Sequence, residues 1–300
     1  MQIKKVDVVP IKDFQNVTVT RMAEHLVEVQ YMARKNTSNN IKKLSKDSYV
    51  DLSTGEIKDF KKTNNRSEGL NSLRQTFKKM RYLINHNFYG ATNELFICLT
   101  YRGDLQTNDH RKVGKDFDNF LKRLKRAYKD KSTVEAVKVL EPHESGNWHM
   151  HVLLKFPDLE RIFIPSKELE RIWGNGFVHI RSLKDVDNIG AYVSAYLADI
   201  EVPESNVKNL ESHPDLIEKE VDGKKKKFLK GARLKFYPTG VNLFSKTKGI
   251  VYPERIEMTY SDAKKVVQDC SPHYSQTIEI SDSDSDFSNT ITYEQYNLKR

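Results

Sequence analysis

An alternating stretch at residues 148–156, WHMHVLLKF, constrains the fold more than any other part of the chain. Read as a β-strand, it sends successive side chains to opposite faces of a sheet. One face then carries only apolar side chains, those of Trp148, Met150, Val152, Leu154 and Phe156. The other carries His149 and His151, followed by Leu153 and Lys155. The first face must be core, and the second holds two imidazoles side by side.

A hairpin is predicted to bring a carboxylate to these histidines. Residues 133–141 are rich in valine and end at Glu141, and PHESGN at 142–147 has the composition of a turn. Two imidazoles and one carboxylate, with positions left for water and substrate, suit a catalytic divalent cation. His143 and Glu144, in the turn, are alternative ligands that are less well aimed. The competing interpretation is that these are ordinary surface histidines.

A second motif lies downstream, at residues 188–199, NIGAYVSAYLAD. On a helix, Tyr192 and Tyr196 are four residues apart and project from one face. Aromatic packing is the more common explanation of such a pair. A histidine pair followed by a helical tyrosine pair is less expected by chance than either motif alone.

Taken together, these motifs resemble the rolling-circle replication initiators (Rep proteins) of the HUH endonuclease superfamily, of the two-tyrosine type. His149-Met150-His151 matches the His-hydrophobic-His motif, residues 95–101 (LFICLTY) resemble the first motif, and Tyr192 and Tyr196 match the tyrosine motif. The motifs occur in the family's order over roughly residues 94 to 200. Flanking stretches at 72–77 and 233–238 are similar to initiators of small Gram-positive plasmids and phage-like mobile elements.

The resemblance implies an enzyme that nicks single-stranded or hairpin origin DNA through a 5′-phosphotyrosine and rejoins it. Glu141, His149 and His151 would bind Mn²⁺ or Mg²⁺, and Tyr192 would be the primary nucleophile. Tyr196 would serve a second transfer. A host helicase and replication machinery are implied partners, because the chain lacks a P-loop motif.

The chain departs from the family at the lysine that usually follows each tyrosine by three residues, where it has Ala195 and Asp199. The missing charge must then come from another element or from the metal. Lys155 is the preferred substitute because strand alternation points it to the histidine side. Lys184, just before the helix, is the other candidate.

The expected fold is α+β, with helices packed on an antiparallel sheet. Strand 94–101 should be central and paired with the hairpin of 134–141 and 148–156, and amphipathic helices are predicted at 67–88 and 113–128. The expected domains are an N-terminal extension at 1–65, the HUH nicking and joining domain at 66–200, and a C-terminal region at 201–300. That last region contains a charged excursion and further strands.

Composition narrows the setting. The net charge of +9 over 300 residues favours an anionic partner, either nucleic acid or an acidic membrane surface. No stretch approaches the roughly 20 apolar residues of a membrane span, and the first residues lack an apolar signal core. Two cysteines do not make a disulfide framework, so a cytoplasmic location is expected.

Three other hypotheses remain open. A relaxase or transposase would share the chemistry, although relaxases usually carry the tyrosine before the histidine motif. A non-enzymatic origin-binding or regulatory protein would explain the missing lysines. An unrelated metal-binding structural protein would leave the tyrosine pair unexplained.

Overall fold

The computed structural model describes residues 2–23, 25–35, 40–60, 70–143, 145–184, 186, 188–202, 216–221, 224–268, 270–281 and 287–299. Seventeen strands and five α-helices lie within those ranges. The strands are β1 (Gln2–Val6), β2 (Asn16–Met22), β3 (Leu26–Met32), β4 (Ile41–Lys43), β5 (Ser48–Asp51), β6 (Ile57–Asp59), β7 (Glu94–Tyr101), β8 (Glu135–Pro142), β9 (Trp148–Lys155), β10 (Gly176–Arg181), β11 (Ile200–Glu201), β12 (Leu216–Val221), β13 (Lys224–Leu229), β14 (Phe244–Lys246), β15 (Arg255–Thr259), β16 (Tyr274–Ser281) and β17 (Ser288–Asn297). The helices are α1 (Leu70–Asn87), α2 (His110–Tyr128), α3 (Ser166–Trp173), α4 (Ile189–Ala198) and α5 (Tyr260–Val266).

The chain divides into a terminal unit, residues 1–62 and 253–300, and a central unit, residues 63–252. This division differs from the boundaries expected at 65 and 200. The C-terminal strand β17 pairs with β3 near the N-terminus, so the two ends of the chain build one sheet. Such pairing joins residues more than 250 positions apart, and local sequence patterns carry no signal for it.

The central unit is built on a five-stranded sheet of order β10-β7-β9-β8-β14, in which every neighbouring pair is antiparallel. β8 and β9 form the predicted hairpin, and β7 is an internal strand beside β9. The α+β fold prediction is therefore confirmed, including the placement of both histidines on a strand.

Helices cover this sheet on both sides. On one side, Met150, Val152 and Leu154 of β9 pack in a buried cluster with Phe117 and Phe120 of α2. This confirms that the apolar face of residues 148–156 is core. Both faces of β7 are also covered, as its almost continuous apolar sequence predicts.

The opposite side of the sheet carries the histidines and packs partly against α1 and α4. Phe96 of β7 and Leu153 of β9 share a buried cluster with Met80 of α1 and with Val193 and Leu197 of α4. We call this side the histidine face. The helix that carries the tyrosines thus packs on the face that carries the histidines.

The terminal unit contains a six-stranded sheet of order β1-β16-β17-β3-β2-β15. Val17, Val19, Val27 and Val29 bury one face of that sheet with Ala263 of α5. The ambiguous stretch at 17–31 is therefore two antiparallel strands. A separate three-stranded sheet, β4-β5-β6, contains the hairpin predicted around residues 53–55.

The charged excursion after α4 contributes the three-stranded sheet β11-β13-β12. Two lysines of the run at 224–227 form ion pairs, Lys225 with Glu218 at 3.3 Å and Lys226 with Glu201 at 2.8 Å. Residues 203–215 lie outside the described part of the chain. No helix in the described ranges is long and apolar enough to cross a membrane.

Candidate active site on the histidine face

Strand register places the candidate residues on adjacent strands. Glu141 of β8 lies directly opposite His149 of β9. His151 lies between Val139 of β8 and Cys98 of β7. Directly opposed residues project to the same side of a sheet. The hairpin therefore brings Glu141 and both histidines together on the histidine face.

Glu141 is buried and makes two charged contacts. Its carboxylate accepts a hydrogen bond from His151 Nε2, and its second oxygen lies 2.9 Å from Arg233 Nη1. Burial acts to raise the pKa of Glu141, but the hydrogen bond from His151 and the charge of Arg233 outweigh it and lower the pKa. The group is therefore an ionised carboxylate at neutral pH.

His149 contacts the turn of the hairpin. Its Nδ1 lies 2.9 Å from His143 Nε2, and the two ring centroids are 3.8 Å apart. Burial, followed by the neighbouring charge of His143, lowers the pKa of His149 to about 4. His149 is therefore a neutral imidazole at neutral pH, which is the form that ligates metals.

These donors suit a divalent cation in type and protonation state, because one is an ionised carboxylate and another a neutral imidazole. Their arrangement is one of hydrogen bonds. Glu141 and His151 contact each other, His149 contacts His143, and no group of three His, Cys, Asp or Glu side chains in the described ranges is arranged to hold a metal ion. Glu144 lies outside the described residues.

The tyrosine helix α4 is fixed at its N-terminus by polar contacts with α1. The N-cap Asn188 accepts a hydrogen bond from the Ala191 amide at 2.9 Å. Asn85 of α1 donates to the Asn188 side chain at 2.9 Å and accepts from the Gly190 amide at 2.7 Å. A Cβ atom at Gly190 would lie 2.8 Å from the Arg81 carbonyl oxygen, so only glycine allows this approach.

The structure brings Tyr192 towards His151 through one intervening ring. Phe96 meets Tyr192 edge-on at 6.0 Å between centroids and stacks on His151 at 5.7 Å. Tyr192 is half-buried. Tyr196 lies one turn later on the same helix, and its side chain is outside what the structure describes.

Lys155 projects to the histidine side, as expected, but lies at the wrong end of β9. Four residues separate it from His151, about 13 Å along a strand. Its ammonium donates to the Asn87 carbonyl at 2.8 Å and lies 3.4 Å from Glu94 Oε1. The structure therefore does not bring Lys155 to the histidines. Lys184, the other candidate, has an exposed side chain.

Arg233 is a site residue that sequence reasoning missed. It lies in a short 3-10 helix, Ala232–Phe236, and also donates to the carbonyls of Pro142 at 3.0 Å and Asp199 at 3.2 Å. Asp199 caps the C-terminus of α4. Arg233 therefore links the tyrosine helix to the carboxylate of Glu141. Its partner lies 92 positions earlier, so no spacing signal was available.

The comparison with known families covers this site. Residues 94–201 match a family model of the Replication-associated protein ORF2 type. The matched stretch runs from β7 to β11 and contains both histidines and both tyrosines, whereas Arg233 lies beyond it. No curated protein matches the chain. Over this stretch the chain is therefore similar to replication-associated proteins, and the match supports a replication initiator of the Rep type.

Proposed function

We propose that this chain is an HUH-type initiator that nicks and rejoins single-stranded origin DNA through a tyrosine. The observation that carries the proposal is the packing of the tyrosine helix on the sheet face that holds Glu141, His149 and His151. Both motifs fall within the stretch that resembles replication-associated proteins. This assignment extends the replication-associated role to a specific chemistry.

The proposed reaction is a transesterification. The Tyr192 oxygen attacks the scissile phosphorus, a phosphorus–Oη bond forms, and the bond to the 3′ oxygen breaks. The phenol loses its proton and the departing 3′ oxygen gains one, so no net proton is consumed. The 5′-phosphotyrosine retains the ester bond, and the reverse reaction therefore rejoins the strand without ATP. Tyr196 would perform the second cleavage.

The side chains of the site have separate tasks in this reaction. A phenol has a pKa of about 10, so its attack needs positive charge near the phosphate. A divalent cation, Mn²⁺ or Mg²⁺, held by Glu141, His149 and His151 would supply Lewis acidity at the scissile phosphate. Arg233 is a positioning residue, because it orients the Glu141 carboxylate and favours its ionised form.

One observation favours a second candidate, an origin-binding protein that does not cleave. The Glu141–His151 hydrogen bond and the His143–His149 contact satisfy the proposed ligands with one another. A protein that kept the fold only to bind DNA would have no need to open these contacts.

The deciding experiment uses a random-sequence pool of labelled single-stranded DNA with Mn²⁺ or Mg²⁺. We expect a covalent adduct that survives denaturing electrophoresis, and sequencing of the trapped DNA would give the cleaved site. Retarded DNA without any adduct, under either metal, would support the binding protein instead.

The nucleophile is tested in the same assay. Tyr192→Phe should abolish the first adduct, because phenylalanine lacks the attacking oxygen, and peptide mapping should find the DNA on Tyr192. Tyr89→Phe is the matched control, since Tyr89 is an exposed tyrosine beside Lys155. A full adduct in Tyr192→Phe but none in Tyr196→Phe would reverse the two assignments. A full adduct in the double variant would make the pair mere packing.

A further inference from the structure

Phe177 presents a large apolar ring to solvent on strand β10. Its exposed fraction is 63 %, and it follows the turn that connects α3 to the sheet. Single exposed apolar side chains are common on protein surfaces and need no explanation by themselves. The position of Phe177 in the sheet is what distinguishes it.

Phe177 belongs to the histidine face. It lies opposite Thr100 of β7, and His179 lies opposite Cys98, which in turn faces His151 of β9. Two strand spacings, about 10 Å, therefore separate this edge of the sheet from the histidine strand. His179 is also exposed, so α1 and α4 leave this part of the face open.

The backbone that carries Phe177 is held in place. Gly174 ends α3 in the left-handed region with φ 73°, and the Arg102 amide donates to the Asn175 carbonyl at 3.0 Å. A Cβ atom at Gly176 would lie 2.2 Å from the Thr100 carbonyl oxygen, so this close approach requires glycine. A ring on such a fixed backbone needs little further ordering when a ligand stacks on it.

We propose that Phe177, with His179 beside it, is a stacking platform for an unpaired nucleobase of the strand that enters the site. The identity of that strand as the cleaved one rests on the proposed function. An unpaired base offers a flat π-face that stacks on aromatic side chains, whereas a base inside a duplex does not. At its distance from His151, the platform would hold a base next to the phosphate at the histidines.

Charge complements this surface. The central unit, which carries Phe177, has 33 lysines and arginines against 24 aspartates and glutamates, so all of the chain's net charge of +9 lies in it. Basic charge around aromatic side chains is the usual composition of surfaces that bind single strands without a fixed sequence.

The test measures binding rather than cleavage. A fluorescent oligothymidylate is titrated without divalent metal against wild type, Phe177→Ala and the control Phe163→Ala, whose ring is 81 % exposed outside the sheet. Loss of one stacked base should weaken binding by Phe177→Ala by roughly 5- to 150-fold, with Phe163→Ala unchanged. Equal affinities of the two variants would overturn the proposal.

A gain-of-signal variant completes the test. Phe177→Trp should retain wild-type affinity, and its added indole fluorescence should be quenched by oligothymidylate but not by a fully abasic strand. Fluorescence that ignores the DNA, or responds equally to the abasic strand, would show that no base stacks there. Far-UV circular dichroism of each variant should match wild type, because the ring contributes little to the core.

The outcome is separable from that of the proposed function. If wild type forms no adduct but Phe177→Ala loses affinity for oligothymidylate, the nicking chemistry fails and the platform stands. If the adduct forms while Phe177→Ala and Phe163→Ala bind alike, the platform alone fails.

Discussion

The two ends of strand β9 place charged side chains on the same face of one sheet but arrange them differently. At one end, Arg233 contacts Glu141, which also accepts a hydrogen bond from His151. At the other end, Lys155 pairs with the fully buried side chain of Glu94 and donates to the last residue of α1. Both are ion pairs with little exposed area, and burial and charge alone do not distinguish them.

What distinguishes them is their surroundings. The histidine end adds neutral imidazole, contacts the tyrosine helix through Phe96, and adjoins the open edge at Phe177. The lysine end is tied to the α1 terminus, where Glu94 also accepts hydrogen bonds from the amides of residues 89–91. A buried ion pair thus becomes a candidate active site only where exchangeable ligands and open surface adjoin it.

The largest expected effect would establish this difference directly. His151→Ala and Glu141→Gln should each reduce adduct formation by at least ~100-fold, because loss of a ligand exceeds the 10- to 100-fold cost of losing a residue behind one. His149→Ala should act similarly, and all three proteins should remain folded. Lys155→Met, at the other end, should keep adduct formation close to wild type. Full activity in a His149→Ala, His151→Ala double variant would refute the ligand assignment.

Arg233 and Lys155 allow a sharper comparison. Arg233→Met and Lys155→Met each leave a buried carboxylate unpaired, so each should lower the free energy of unfolding by about 3 kcal/mol. Only Arg233→Met should also reduce adduct formation, by roughly 10- to 100-fold, since Arg233 orients a ligand. Denaturant titration measures the first effect and the adduct assay the second.

A conservative variant provides the control. Arg233→Lys should recover most of the stability but only part of the adduct, because an ammonium keeps the charge and lacks the planar fork. A raised Mn²⁺ requirement in this variant would identify positioning of the ligand as the cause. If Arg233→Met lost stability and kept full adduct formation, Arg233 would be structural, like Lys155.

The same two residues show how far sequence reasoning reaches. Alternation along 148–156 and the helical spacing at 188–199 are local, so the strand, its faces and the tyrosine helix could be predicted. Alternation also gave the face of Lys155, but it carries no information on which end of a strand the site occupies. Arg233 reaches Glu141 across a long excursion, and the pairing of β17 with β3 spans most of the chain. Long-range contacts of this kind depend on packing that a single sequence does not display.

The smallest expected effect concerns pH, and it should have opposite signs at the two ends. The pKa of His149 is lowered by burial to about 4 from an ordinary value of 6.5. Between these values the unfolded chain binds the proton and the folded chain does not, so His149 costs stability as the pH falls from 6.5 towards 4. Burial raises the pKa of Glu94, although Lys155 opposes the shift. The folded state then holds that proton longer, and stability falls as the pH rises from the ordinary glutamate value of 4.5 through the raised pKa.

Thermal unfolding from pH 4 to pH 7, without metal, separates the two contributions. His149→Asn should flatten the acid side of the stability curve, because asparagine has no proton to gain in the unfolded state. Glu94→Gln should steepen the rise of stability with pH, since it removes the contribution of opposite sign. Equal slopes in wild type and His149→Asn would mean that His149 is charged or exposed in the folded protein. The neutral imidazole on which the ligand assignment depends would then be wrong.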